Sequence, residues 1–222
     1  MPVTCNPNDL GLGYGSMEWG AGRYSNTTVA APHGIFDDST DALLLKIIAR
    51  YPANYVIARG YETGSIRLNV NRPSERLSNG TENQTTRATR VYNVFKNCVD
   101  QYNQKYYIEI HGNSIPSTSN QIQVATVNVS SALATYLVDR FNVHKQIKLG
   151  NYELRIEPLH NLFWTANQSK EIGMLSHCNN ICLHFEIPRA LRNDSGRMSK
   201  TAEVLANLFE DLENYPPQKK KS

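Results

Sequence analysis

The sequence predicts an α/β protein, a three-layer α/β/α sandwich around a mixed central sheet. Apolar, β-branched runs recur along the chain (TTVAA, YVIA, YYIEI, IQVATVNV, ICLHFEIP), and stretches with helical spacing of apolar residues lie between them. Alternation of this kind builds a sheet covered on both faces. Several connections are too short for a crossover helix, so the strand directions must be mixed. The 222 residues suit one domain, 1–222, better than two.

Each element has its own reason. Residues 1–26 are rich in Gly and Asn and predict an irregular N-terminal arm. Gly11, Gly13 and Gly15 do not make a nucleotide-binding loop, because Ser16 fills the last glycine position of G-x-G-x-x-G and no strand precedes it. Residues 41–50 carry Leu43, Leu44, Ile47 and Ile48 on one stripe, a helix started by Ser39 or Thr40. Residues 55–58 predict a short strand, and 67–73 a half-buried strand with Arg67, Asn69 and Asn71 on its polar face. Residues 74–85 predict a polar loop around Asn79-Gly80. A long helix over 89–106 follows, then a strand over 107–110 and a loop over 112–120. Strand, helix and strand come next, and 161–180 has the weak periodicity of a segment that lids a site. ICLHFEIP is a further strand, and 199–212 a last amphipathic helix. Pro216 and Pro217 end that helix, so 216–222 predicts a disordered basic tail.

Charge excludes two classes of partner. The net charge of +3 is matched by Lys219, Lys220 and Lys221, leaving a neutral body with no face for nucleic acid or membrane. No apolar run reaches the roughly eighteen residues of a membrane span, and the first residues show no secretion-signal pattern. Four cysteines in a chain of this length do not suggest a disulfide framework. These observations predict reduced thiols and a cytoplasmic location. The sequence leaves the oligomeric state open.

The candidate chemistry sits at strand ends. His33, Asp37 and Asp38 follow the first apolar run, His111 ends a second, and Glu186 lies near the end of a third. Neutral imidazoles and a carboxylate with one open position are what a catalytic zinc needs. A separate carboxylate serves as general base. His177, Cys178, Cys182 and His184 form a second group, but a single Cys-x3-Cys lacks knuckle spacing, which favours buried thiols and a satisfied histidine. His144 and His160 read as surface or packing residues.

The segments PHGIFDDST, NVNRP, IEIHGNS and FEIPRALR, in this order over about residues 27–192, resemble the N-formylglutamate amidohydrolase-like family of zinc hydrolases. That family includes relatives acting on poly-γ-glutamate and is similar in fold to zinc carboxypeptidases. The resemblance implies Zn2+ held by His33, His111 and an acid of the first motif. Asp37 is preferred there because it follows the aromatic, with Asp38 as the alternative. It further implies Glu186 as general base, Asn71 and Arg72 as the holder of a substrate carboxylate, Arg67 as a second anion or oxyanion donor, and Arg189 as a further substrate contact. The expected activity is hydrolysis of an amide bond in a small-molecule or peptide substrate bearing a free carboxylate, such as N-formylglutamate or a γ-glutamyl chain. The alternative is a non-catalytic carboxylate- or peptide-binding module on the same fold. The sequence departs from the pattern in its acid, which is Asp rather than Glu and falls later after His33 than in carboxypeptidases. A catalytic tyrosine has only Tyr61 and Tyr92 as nominees.

Overall fold

The computed structural model describes residues 15–63, 66–77 and 79–216. The expectations for Gly11 and Gly13 and for the lysine tail lie outside the described residues. In chain order the elements are β1 (Gly15–Gly20), β2 (Tyr24–Ala31), α1 (Thr40–Ile48), β3 (Ala53–Gly60), β4 (Glu62–Thr63), β5 (Ile66–Leu68), β6 (Ser74–Leu77) and β7 (Glu82–Gln84). They continue with α2 (Thr86–Asp100), β8 (Tyr106–Asn113), β9 (Gln121–Val127), α3 (Ser131–Lys145), β10 (Glu153–Ile156), α4 (Asn167–Ile172), β11 (Ile181–Pro188) and α5 (Ser195–Glu213).

The central sheet has seven strands in the order β1-β3-β2-β8-β11-β9-β10, and a small sheet, β4-β5-β6-β7, stands beside it. β3, β2, β8 and β11 run parallel, while β1 and β9 are antiparallel to their neighbours β3 and β11. The sheet is therefore mixed, and its parallel centre sends four strand carboxyl ends to one edge.

Strand alternation divides the core in two. Val29, Ile108, Ile110, Leu183 and Phe185 point to the layer that holds Leu43, Leu44 and Ile47 of α1, Phe141 of α3 and Phe209 of α5. Ala30, Val56, Tyr107 and Cys182 point to the other face, against Val91, Phe95 and Val99 of α2. Burying each large apolar side chain contributes about 1.5–3 kcal/mol before entropy is counted, so both helical layers are held mainly by this contact. The helix starts are set by side chains that accept a free backbone N–H: Thr85 from Ala88 for α2, Ser130 from Leu133 for α3 and Asp194 from Arg197 for α5.

Three expectations are corrected. Residues 15–26 are not an irregular arm: β1 pairs with β3 along its whole length, and β2 begins at Tyr24. The polar stretch 74–85 is not a loop, since β6 and β7 form a hairpin whose turn uses Gly80 at φ 83. The cysteines are not reduced thiols. Cys178 and Cys182 form a disulfide with Cα atoms 6.3 Å apart, and Cys98 is disulfide-bonded as well. The thiol argument for a cytoplasmic location falls with that. No helix among the described residues is long and apolar enough to cross a membrane.

Candidate active site

The first motif folds as a tight turn at the end of β2. Gly34 N donates to Ala58 O at 2.9 Å, and Asp37 N donates to His33 O at 2.8 Å, so one turn of chain brings the His33 and Asp37 side chains together. Position 34 has no room for a side chain. A Cβ there would lie 2.8 Å from Asp41 Cβ and 3.0 Å from Ala58 O. Arg192 fixes the far side of the turn: its guanidinium donates to the carbonyls of Asp37 and Asp38, to Ile187 O at 3.1 Å and to Asn113 O at 3.2 Å. Arg192 is 2% exposed. Arg192→Ala is expected to cost about 2 kcal/mol, because buried carbonyls lose a charged donor, read as a lower urea midpoint with an unchanged slope.

β8 and β11 supply the rest. Their parallel register pairs His184 with Glu109 and Glu186 with His111. Residues two apart share a face, so while Ile108, Ile110 and Phe185 enter the apolar core, Glu109, His111, His184 and Glu186 form a polar quartet on the opposite face. The His111 and His184 rings stack at 4.1 Å, and His33 sits 5.2 Å from His111. His111 Nδ1 faces Asp37 Oδ2 and its Nε2 faces Glu109 Oε2, both at 3.2 Å. His184 Nδ1 faces Glu109 Oε2 at 2.7 Å and its Nε2 faces Glu186 Oε1 at 3.3 Å. Glu109 also accepts from Tyr107 Oη at 2.9 Å and from Asn71 Nδ2 at 3.2 Å.

The electrostatics follow from burial and charge. Burial pulls His33 down to about 3 despite the neighbouring Asp37, with His111, Arg67 and Arg72 adding to the effect. Its ring is neutral and keeps a lone pair. Burial alone would raise Asp37, but the bond from His111 and the nearby His33 hold it at about 2. Burial alone would lower His111, and the carboxylates of Asp37 and Glu109 outweigh it, holding the ring up at about 10.

His33, Asp37, His111, His184 and Glu186 line a cavity of about 470 Å³, walled by Phe36, Arg67, Arg72, Arg76 and residues 163–169. The weakly periodic segment at 161–180 thus furnishes one wall. Of the two acids in the first motif, Asp37 faces His111 and the cavity, whereas Asp38 pairs with Arg189 at 3.1 Å.

Other expected residues are placed differently. Arg189 is a correction: it is outside this cavity, 61% exposed, on the far side of the turn. Asn71 does not line the cavity either, being fully buried with its amide on Glu109. Arg72 does line it, but its Nε and Nη2 meet Glu82 at 2.6 and 3.3 Å. The hydroxyls of Tyr61 and Tyr92 are buried in the core beneath α2, not in the cavity. Cys178 and Cys182 are bonded to each other and hold no metal, and His177 opens on a separate cavity with them. Glu109 was not foreseen as a site residue, although the alternation in YYIEIH puts it on one face with His111.

Two groupings offer metal ligands. Glu109, His111 and His184 bring ligand atoms within 4.8 Å of one another, all buried. His33, Asp37 and His111 meet on the cavity side. Among the described residues only the first group brings three ligand atoms this close, whereas in the second the side chains share the wall of the open cavity.

Neither a family model nor a curated protein matches the sequence. Solved structures do match in fold. A bacteriophage poly-γ-glutamate hydrolase superposes with a TM-score of 0.55 at 12% identity, covering 97% of this chain and 99% of its own. The zinc-free form of YNDL gives 0.54 at 11% identity, covering 97% and 100%. The chain shares its fold with these two structures. A metallo-carboxypeptidase from Burkholderia cenocepacia extends the likeness at 0.50 and 10% identity, over 94% of this chain and 68% of its own. Of the quartet, His111 and Glu186 stand in the carboxyl-terminal halves of the parallel strands β8 and β11, toward the edge where open α/β sheets carry their ligands, while Glu109 and His184 are mid-strand.

Proposed function

We propose that the protein is a zinc-dependent amidohydrolase that cleaves an amide bond in a substrate with a free carboxylate, an N-acylglutamate or a γ-glutamyl peptide. The observation that carries the reading is the convergence of His33, Asp37, His111 and Glu186 on one cavity that is also walled by arginines.

His33, Asp37 and His111 would hold the ion. When bound, a divalent cation polarises a carbonyl and makes water a better acid. Glu109 orients His111 from behind, as carboxylates behind ligating imidazoles do. Glu186, 8% exposed and 3.3 Å from His184, is the carboxylate on the cavity outside that ligand set and takes the proton from the attacking water. Arg67 offers donors to an anionic oxygen of the substrate, and its guanidinium lies 4.1 Å over the Phe36 ring. Arg72, neutralised by Glu82, and Asn71, bonded to Glu109, shape the site from the wall and from behind it.

Metal content by elemental analysis tests the reading. The parent is expected to carry about one zinc per chain, lost in folded His33→Ala and His111→Ala variants. The parent should also consume N-acylglutamates or glutamyl peptides. Folded variants that keep the parent's zinc would reject the ligand set. Zinc-loaded parent that consumes nothing but still binds these compounds would leave the binding-module reading.

A further inference from the structure

The register of the small sheet sets two arginines against each other on one face. β5 and β6 pair antiparallel, with Arg67 directly opposite Arg76. Residues opposite one another in such a ladder point to the same face, and like charges in that position destabilise the pair. Both side chains line the cavity of His33 and Glu186. Among the described residues, no carboxylate forms an ion pair with either one. Glu82 stands opposite Arg76 in the next strand pair, but its oxygens accept from Arg72, Ser74 and Asn69. Arg67 Nε is buried and has no hydrogen-bond partner. A guanidinium is held this way at a cost, since burying a charged donor without an acceptor is unfavourable. Burial, with the charges of Arg72 and Arg76, lowers the pKa of Arg67 below its ordinary value against the opposing pull of Asp37 and Glu82.

We infer that Arg67 and Arg76 together bind a carboxylate of the substrate, so that this pair, rather than Arg72 with Asn71, selects acidic substrates. Two guanidinium forks facing one space match the two oxygens of a carboxylate. The anion removes the repulsion between them. Phe36, beneath Arg67 and 41% exposed, keeps the fork in place at the mouth of the cavity. Arg76 is thereby a specificity residue, and the inference rests on the reading of this cavity as a substrate site.

Calorimetric titration of the full chain tests it, with N-acetylglutamate, N-acetylglutamine and N-acetylisoglutamine as probes. The first has both carboxylates, the second only the α-carboxylate, and the third only the side-chain one. Arg76 is exposed and makes no ion pair, so Arg76→Gln should fold as the parent does. It is expected to bind N-acetylglutamate roughly tenfold more weakly, the size of a charged hydrogen bond. One monoacid should show the same loss and the other little, which identifies the carboxylate. Arg76→Lys keeps the charge without the fork and should fall between. Binding by Arg76→Gln as tight as the parent's overturns the inference, as does a parent that binds none of the probes at millimolar concentration. Titration requires no turnover. A protein that holds no zinc and hydrolyses nothing would sink the proposed activity, while dependence of binding on Arg76 would still uphold the anion site.

Discussion

Glu186→Gln is expected to lower the turnover of an N-acylglutamate by roughly 10²–10⁴-fold, the usual contribution of a positioned general base. The substitution is nearly isosteric. It removes the ability to take a proton but leaves an amide oxygen able to face His184 Nε2, now 3.3 Å from Glu186 Oε1. The main-chain contact is untouched, because Asn113 Nδ2 donates to the carbonyl of residue 186 at 3.3 Å. Fold and ligand set should therefore persist. Three measurements separate a catalytic loss from a structural one: zinc content, urea midpoint and kcat. The first two should match the parent, and the loss should appear in kcat rather than KM. Turnover within a few-fold of the parent, at equal zinc loading, would falsify the role of Glu186.

How far the sequence could be read follows from where each residue's signal lies. α1 and α2 are visible because Leu43, Leu44 and Ile47, and Val91, Phe95 and Val99, each bury one helical stripe. β1 is not, since in GSMEWG only Met17 is buried and the strand exists through its pairing with β3. The hairpin β6–β7 was hidden for a related reason. Its residues face a cavity and α2 as salt-bridged polar groups, such as Glu75 with Arg87, rather than as an apolar face. Reading 74–85 as a loop also hid Arg76, whose meaning appears only once the register sets it against Arg67. His33, His111 and Glu186 were legible because histidines and acids at strand ends stand out against apolar runs. Glu109 has the same alternation in its favour but lies mid-strand, where its four donors come from β8, β11 and the turn at Asn71. No local pattern brings those together. The disulfide depends on the shape of the turn between Cys178 and Cys182, which their spacing alone does not fix.

Glu109→Ala is expected to destabilise the protein by about 3–5 kcal/mol, the cost of breaking a buried charged network from one side. Glu109 is 0% exposed. Its removal strands Tyr107 Oη, Asn71 Nδ2 and the two imidazoles in a place water does not reach. The same network sets a pH dependence. Burial alone would raise the Glu109 carboxyl, but the bonds from His111 and His184 outweigh it and hold the group well below its ordinary value of 4.5. A carboxyl depressed on folding stabilises the native state above its unfolded value, and that contribution is lost as pH falls through the folded one. Urea midpoints measured from neutrality downward should therefore fall more steeply below about pH 4.5 in the parent than in Glu109→Gln. The Gln variant also separates the two possible metal seats. As a partner behind His111, Glu109 should weaken zinc binding by roughly 10–100-fold when replaced. As a ligand in the Glu109–His111–His184 group, its loss should abolish stoichiometric zinc while His33→Ala leaves zinc in place. Because Glu109 already accepts four donors and Asp37 faces the cavity with His33, the first result is the expected one, and it would make Glu109 the residue that turns two strand-borne histidines toward the chemistry.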